Sequence, residues 1–331
     1  MASTIDHELG QFIPLHYHYN MLNDRERMLG FKAAVDCAVR PGAKVLELGG
    51  GTGVLSFFAA QKASKVWCVE CNPELAATAR AILAMNANGD KVEIIEADAF
   101  AYLPPEPVDV VICEMIHVAM LREKQIPVIA SFKERYLEKF GGPLPIFIPE
   151  ALIHAVQPVQ QSFDFDGYYA PAILFQDPTT VHAKTLELAQ PTAYQLLSYQ
   201  DALPMTCAWD GRVAADQAGT LNALRFITKN VLAIVASEQR TIDWFSQYLI
   251  VPLASPIAVE AGEQIQISFS YAAGASFAAL TSLLKVARLR PAQAESQGVR
   301  GADTLIAAGV RKRPLKAVAN RPEVVFDLDG C

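Results

Sequence analysis

A doubly wound, parallel α/β domain followed by an antiparallel β domain is the fold class this sequence predicts. Two observations carry it. From Lys44 to Phe140, short β-rich runs alternate with helical patterns, the grammar of a parallel sheet crossed by helices. Beyond about Pro149 the helical signal fades, and runs such as RFITKNVLAIVA and QIQISFSYAAG take over. In the second of these, Ile265, Ile267, Phe269 and Tyr271 alternate with Gln266, Ser268 and Ser270, a clean period of two.

Taken in order, residues 16–40 read as helical, because MLNDRERMLGFKAAVDCAV repeats apolar residues at intervals of three and four. KVLEL is a first strand that breaks into GGGTG, and VLSFFAAQKA is the helix after it. KVWCVE, KVEIIEAD and VDVVIC are the next three strands; PELAATARAILAMNA and LREKQIPVIASFKERYLEKF are the helices among them. The expected division is 1–40 as an N-terminal helical segment, 41–149 as the α/β domain and 150–290 as the β domain. Residues 291–331, rich in Pro, Gly and Ala and carrying RKRPLK, read as an extension or tail.

A chain of 331 residues favours two domains, and 52% apolar residues suffice for packed cores. The formal charge of −7 argues against a general nucleic-acid grip and favours a neutral or cationic substrate. MASTIDHELGQF lacks the basic end and apolar centre of a secretory signal. No apolar stretch reaches the roughly 18 residues that cross a bilayer, so no membrane association is expected. Six scattered cysteines suit a reducing cytosol. Cys68 and Cys71 form a lone CxxC; core and loop thiols are the simpler reading, a redox or metal pair the alternative. The basic cluster Arg311, Lys312, Arg313 and Lys316 reads as a solvated tail.

The first strand ends in LELGGGTG, with Gly49, Gly51 and Gly53 spaced as GxGxG. Glycines there let backbone turn tightly and approach a ligand at the carboxyl edge of the sheet. A Walker loop would need a terminal Gly-Lys-Ser/Thr, and a dinucleotide fingerprint would need GxGxxG; neither is present. The remaining pattern is that of methyltransferases, with Glu47 before the glycines and Glu70 closing the second strand. A carboxylate at that second strand end can accept both hydroxyls of a ribose. Glu47 is placed to meet the amino-acid part of S-adenosylmethionine, and Asp98, after the third strand, the adenine amino group. One such acid alone would read as a solvated loop carboxylate; three at successive strand ends point to a ligand.

After the fourth strand comes CEMIHVAMLRE, with Glu114 and Glu123 nine positions apart. Nine residues are two and a half turns of helix, which puts them on opposite faces; an odd step along a strand does the same. Only a loop that folds back could unite them. On spacing alone the simpler reading is a strand-end acid and an acid opening the next helix. If they converge, like charges resist joint ionisation, and a planar guanidinium could meet both.

These stretches together, ELGGGTGVLSFFAAQKASKVWCVEC and VDVVICEMIHVAMLRE, resemble the protein arginine methyltransferases, whose double-E loop has two glutamates at this spacing. HYNMLNDRER resembles that family's N-terminal helix motif, which gives His18, Met21, Leu22, Asp24 and Arg27 here. TIDWFSQYLIVPLASPIAVEAGEQIQISF resembles the β-barrel segment that contains the family's Thr-His-Trp motif. The resemblance covers roughly residues 16–285. It implies a Rossmann-like class I methyltransferase domain, then an antiparallel β-barrel, with 1–40 covering the cofactor. It further implies S-adenosyl-L-methionine held by His18, Arg27, Glu47, Gly49, Gly51, Gly53, Glu70 and Asp98. Glu114 and Glu123 would be catalytic, and Met21, Asp243 and Trp244 would position the substrate. A homodimer, joined by an arm from about 160–185, is implied as well.

Three departures stand out. Asp243 lies where the family has the Thr-His-Trp histidine, and no histidine follows His182. Only Phe12 survives of the family's N-terminal aromatic motif. MIHVAMLR stands between the glutamates where a Met-Gly-Tyr is usual. The expected activity is N-methylation of a protein or peptide guanidinium. A small-molecule or peptide N/O nucleophile is the alternative, and an inactive cofactor-binding scaffold a third. His117 reads as a polar loop residue with general base as the alternative; His16 and His154 read as incidental surface or barrel positions.

Overall fold

Runs of Val, Ile and Leu build the first sheet, largely buried at Lys44–Leu48, Lys65–Glu70 and Val110–Cys113 and partly exposed at the edge strand Val92–Glu96. A computed structural model describes residues 13–289; Phe12 and the tail at 291–331 lie outside the described residues. The first compact unit holds the described residues up to Ala151, joined by Ser198–Met205 and Ala273–Ser276. Its elements are α1 (Leu15–Asn23), α2 (Arg25–Ala38), β1 (Lys44–Leu48), α3 (Val54–Ala60), β2 (Lys65–Glu70) and α4 (Pro73–Ala84). They continue through β3 (Val92–Glu96), β4 (Val110–Cys113), α5 (Gln125–Phe140) and β5 (Ile146–Ile148).

Strand order is β3-β2-β1-β4-β5, and every pairing is parallel. Chain order reverses between β1 and β4, so the loops after those two strands leave side by side at the carboxyl edge. That switch point is where open α/β sheets bind ligands. In register, Leu48 faces both Val69 and Cys113, which sets the glycine loop, Glu70 and Glu114 level with one another.

The helical stretch expected over 16–40 is divided into two helices. Asp24 is extended, and its carboxylate accepts the N–H of Arg27 at 2.9 Å. An N-cap satisfies an orphan donor of the helix that follows, and it does so only by leaving the helix before it. α4 starts in the same way, with Asn72 accepting from Glu74 and Leu75 and Pro73 in the first turn.

The second unit, among described residues, spans Leu152–Leu197, Thr206–Ala272 and residues from Phe277 onward. It contains β6 (Ala151–Gln161), β7 (Asp164–Phe165), β8 (Tyr168–Tyr169), β9 (Leu174–Gln176), β10 (Thr185–Glu187) and β11 (Thr192–Ser198). β12 (Thr206–Ala214), β13 (Gly219–Val235), β14 (Arg240–Phe245), β15 (Tyr248–Val259), β16 (Gln264–Ala272), α6 (Phe277–Leu283) and β17 (Lys285–Arg288) follow. Seven strands form one sheet, β10-β6-β13-β15-β9, with β11 on β6 and β14 on β13; β12-β16-β17 form another, and β7 pairs β8. The expected antiparallel β domain is present, but its ladders do not close into a hydrogen-bonded barrel among the described residues. Register shifts in β13 after Val231 and Leu221 interrupt its pairing with β14 and β15, which bends a strand and ends its ladder.

Aromatic residues join the two large sheets. Phe269 of β16 meets Tyr194 edge-on at 5.0 Å and Phe226 at 5.4 Å, the geometry the ring quadrupole favours. The hydroxyls of Tyr194 and Tyr271 lie 3.1 Å apart. His154, fully buried, stacks on Tyr194 and reaches the Thr228 hydroxyl at 3.0 Å; burial pushes its pKa down to about 3, so it is a neutral core residue. Phe269→Ala should cost the second unit about 3–5 kcal/mol, as large-to-small core changes do. Urea unfolding followed by tryptophan fluorescence checks this, and an unchanged midpoint would contradict the packing.

Candidate active site

The loop after β1 is forced into shape by its glycines. Gly49, Gly51 and Gly53 have φ of +79°, +54° and +79°, the left-handed region that glycine enters without steric cost. Gly49 and Gly50 both donate their N–H to the carbonyl of Val69, at 3.0 and 2.9 Å. A Cβ on Gly49 would lie 2.9 Å from Met115 Cγ, and one on Gly51 2.8 Å from His18 Cε1. The missing side chains therefore let α1 and the loop after β4 close down on this turn.

Glu70, 7% exposed, ends β2. One oxygen accepts the Gly51 N–H and the other the Asn72 N–H, both at 2.8 Å. The Cys71 thiol also bonds this carboxylate; a carboxylate has about four acceptor sites, so some capacity remains to offer. Asp98 accepts the Phe100 N–H at 2.9 Å, and Arg135 and Ser131 of α5 hold the carbonyls of Ala101 and Phe100. Glu47 goes elsewhere than its neighbours. It is 2% exposed, and one oxygen takes the backbone N–H of Ser56 at 2.9 Å, the Ser56 hydroxyl and the Cys68 thiol. Burial pushes its pKa up to about 7. It thus ties β1 to the first turn of α3. Cys68 and Cys71 are free thiols, and burial raises both.

His18 is half-buried on α1, and its Nε2 is buried without a hydrogen-bond partner. Burial lowers its pKa, against the charges of Glu70 and Glu114, which raise it. Arg27, 6% exposed, pairs with Glu114 and lies over the Phe31 ring at 5.4 Å; its Nε has no partner. Buried polar atoms are nearly always satisfied. Two unpartnered buried nitrogens beside a glycine turn, with Glu70 alongside, fit a polar ligand at this edge. Met21, also on α1, is half-buried.

The acid loop turns back on itself. A 3-10 turn covers Val118–Met120, and Ala119, Met120 and Arg122 have φ of 58°, 50° and 63°, conformations that non-glycine residues keep only when held. Gln125, completely buried, does part of the holding. It donates to the Cys113 carbonyl at 2.7 Å and accepts the Met115 N–H at 2.9 Å, one bond on each side of Glu114. The result brings Glu114 and Glu123 within reach of each other's charge. Burial first, and then Glu114, push the Glu123 carboxyl up to about 8. His117 turns its Nδ1 to the Val118 carbonyl at 3.1 Å, and burial lowers its pKa.

Asp243 and Trp244 belong to β14 of the second unit. Asp243 lies 3.3 Å from Lys229 Nζ and accepts the Thr241 hydroxyl at 2.8 Å; its other oxygen is buried without a hydrogen bond. The Trp244 carbonyl accepts from Asn230 at 3.3 Å. His16 is exposed at the start of α1. Sequence reasoning missed Gln125, Met115 and Ser56, none of which carries a motif signal of its own. No group of three or more potential metal ligands occurs among the described residues.

A methyltransferase domain family matches residues 45–138. An uncharacterised protein of Methanothermobacter thermautotrophicus is 29% identical over 78% of this chain and 93% of its own length. An arginine N(omega)-methyltransferase of Streptomyces achromogenes subsp. streptozoticus is 32% identical over 39% of this chain and 37% of its own. The chain thus spans little more than a third of that enzyme. Among solved structures, a chain of the Trypanosoma brucei PRMT1 enzyme-prozyme heterotetrameric complex with AdoHcy superposes with a TM-score of 0.65. It does so at 17% identity, over 84% of this chain and 99% of its own, and that likeness shows the fold. The parallel sheet with its glycine turn, the antiparallel unit and the matched domain identify this chain as a class I methyltransferase resembling the protein arginine methyltransferases.

Proposed function

We propose that this enzyme transfers a methyl group from S-adenosylmethionine to a guanidinium nitrogen held by Glu114 and Glu123. The single observation that carries the reading is the convergence of those two carboxylates beside the glycine turn. S-adenosylmethionine supplies an electrophilic methyl on a sulfonium, so the protein's work is positioning and electrostatics. Glu70, with acceptor capacity left, takes the ribose hydroxyls. His18 and Arg27 bring their orphaned nitrogens to the same ligand, and the cationic Arg27 suits its carboxylate. Asp98 accepts from the adenine amino group. Glu47 acts indirectly, fixing the turn through Ser56.

On the substrate side, a guanidinium meets two carboxylates through paired hydrogen bonds, with Met21 beside it. Glu123 must be ionised to localise charge on one nitrogen and to accept the released proton. Because burial favours its protonated form, binding of a cation draws that proton off. Asp243 and Trp244 are read as substrate-positioning residues. A small-molecule nucleophile is the second reading. It is favoured by Asp243, paired with Lys229, in place of the histidine seen in related enzymes, and the Streptomyces relative's name refers to arginine itself. We also infer a homodimer in the cytoplasm. The β7–β8 hairpin shows Tyr168 at 73% and Tyr169 at 62% exposure, and exposed aromatic clusters mark association sites; the free cysteines fit a reducing compartment.

Calorimetry with S-adenosylhomocysteine should show saturable binding that Glu70→Ala weakens about tenfold to a hundredfold, the worth of one or two charged hydrogen bonds. No binding by the wild type would sink the cofactor assignment. With labelled cofactor and an Arg-rich peptide, kcat/KM should rise with pH through about 8, since it reports the free enzyme's base and Glu123 is protonated below that value. Glu123→Gln should abolish the transfer while leaving cofactor affinity unchanged; label found only in a metabolite fraction would favour the second reading. In sedimentation, Tyr168→Asp with Tyr169→Asp should turn a dimer into a monomer. A monomeric wild type at micromolar concentration would refute that assembly.

A further inference from the structure

The acid loop has a second bracket, on the side away from Gln125, made by the four residues that follow β16. Ala273–Ser276 pack with the first unit, and the Ala273 N–H bonds the Met205 carbonyl at 2.9 Å. Gly274 donates its N–H to the Met120 carbonyl at 2.7 Å, and the Ala275 carbonyl accepts the Arg122 N–H at 2.8 Å. Lys124 Nζ reaches the Gly274 carbonyl at 3.3 Å. Met120 and Arg122 are two of the left-handed residues of the loop, so the bracket grips the backbone where its path is least favourable.

Gly274 fits there for two separate reasons. Its φ is +82°, and a Cβ would stand 3.0 Å from the Glu123 carbonyl oxygen and 2.7 Å from Lys124 Cδ. The lysine stem can swing away. The carbonyl of Glu123 cannot retreat without carrying that residue with it. We propose that Gly274 is a positioning residue for Glu123, a side-chain-free bracket that fixes the second carboxylate of the acid loop relative to the first. The proposal rests on the guanidinium-clamp reading for its catalytic consequence and on backbone geometry alone for the bracket.

Gly274→Ala in the full chain tests both parts. By amide hydrogen exchange, the Arg122 amide and its neighbours in 118–124 should open about tenfold more readily, with exchange in β1 and β2 unchanged. S-adenosylhomocysteine affinity should stay within about twofold, while kcat/KM on an Arg-rich peptide falls about tenfold to a hundredfold, the scale of a small misplacement. The pH midpoint of kcat/KM should also move, which a simple loss of stability would not cause. Unchanged exchange, or lost protection with undiminished transfer, overturns the proposal. If the wild type labels no peptide, the guanidinium reading fails, and the exchange result still decides whether Gly274 holds the loop. Should Gly274→Ala not fold, Lys124→Met removes the bond to the Gly274 carbonyl. A smaller acceleration at the same amides is then expected, and wild-type exchange there overturns the bracket.

Discussion

Two buried carboxylates within reach of each other's charge resist joint ionisation, and that electrostatic constraint organises the candidate site. Arg27 supplies positive charge to Glu114, while burial and its neighbour push the Glu123 carboxyl up to about 8. The site is neutralised in two different ways before any substrate arrives. Under the function proposed above, an incoming guanidinium would replace the second of these with its own charge, making recognition of a cation and activation of the base one event. The glycine turn, the cap at Asp24 and the clamp at Gln125 all place a member of this charge set.

Local chemistry made much of this legible from residues alone. The position of the GxGxG turn after β1 and of Glu70 at the end of β2 follows directly from strand ends, because a β-strand fixes where its last side chain emerges. The break between α1 and α2 was not legible, since Asp24 can extend a helical pattern or cap the next one, and only its bond to Arg27 decides. The meeting of Glu114 and Glu123 was the least legible. It depends on left-handed Ala119, Met120 and Arg122 and on Gln125 reaching both sides of the turn. None of those residue types announces that role. Glu47 has a structural tie the motif did not announce, one of its oxygens taking Ser56.

The second unit makes a different use of buried polarity. Arg225, almost fully enclosed in β13, bonds Gln157 and Gln176 and pairs with Glu187 at 2.6 Å, and Gln176 continues to Gln161 and Thr185. Such a seam adds little net stability over an apolar one. It does penalise strand slippage, because a one-residue shift would strand every partner on the wrong face. The sheet is therefore specified by matched polar pairs as well as by hydrophobic alternation.

α1 buries none of its side chains completely, yet it carries His18 to the glycine turn. A helix with so little packing has a small opening free energy of its own. Observed ligand affinity is then the intrinsic affinity scaled by the fraction of molecules in which residues 15–23 are helical and seated. Substitutions on the solvent side of that helix, which touch no ligand, gain leverage over affinity through helix propensity alone. With His18 binding the cofactor as proposed, evolution could retune cofactor affinity without altering a single atom of the pocket.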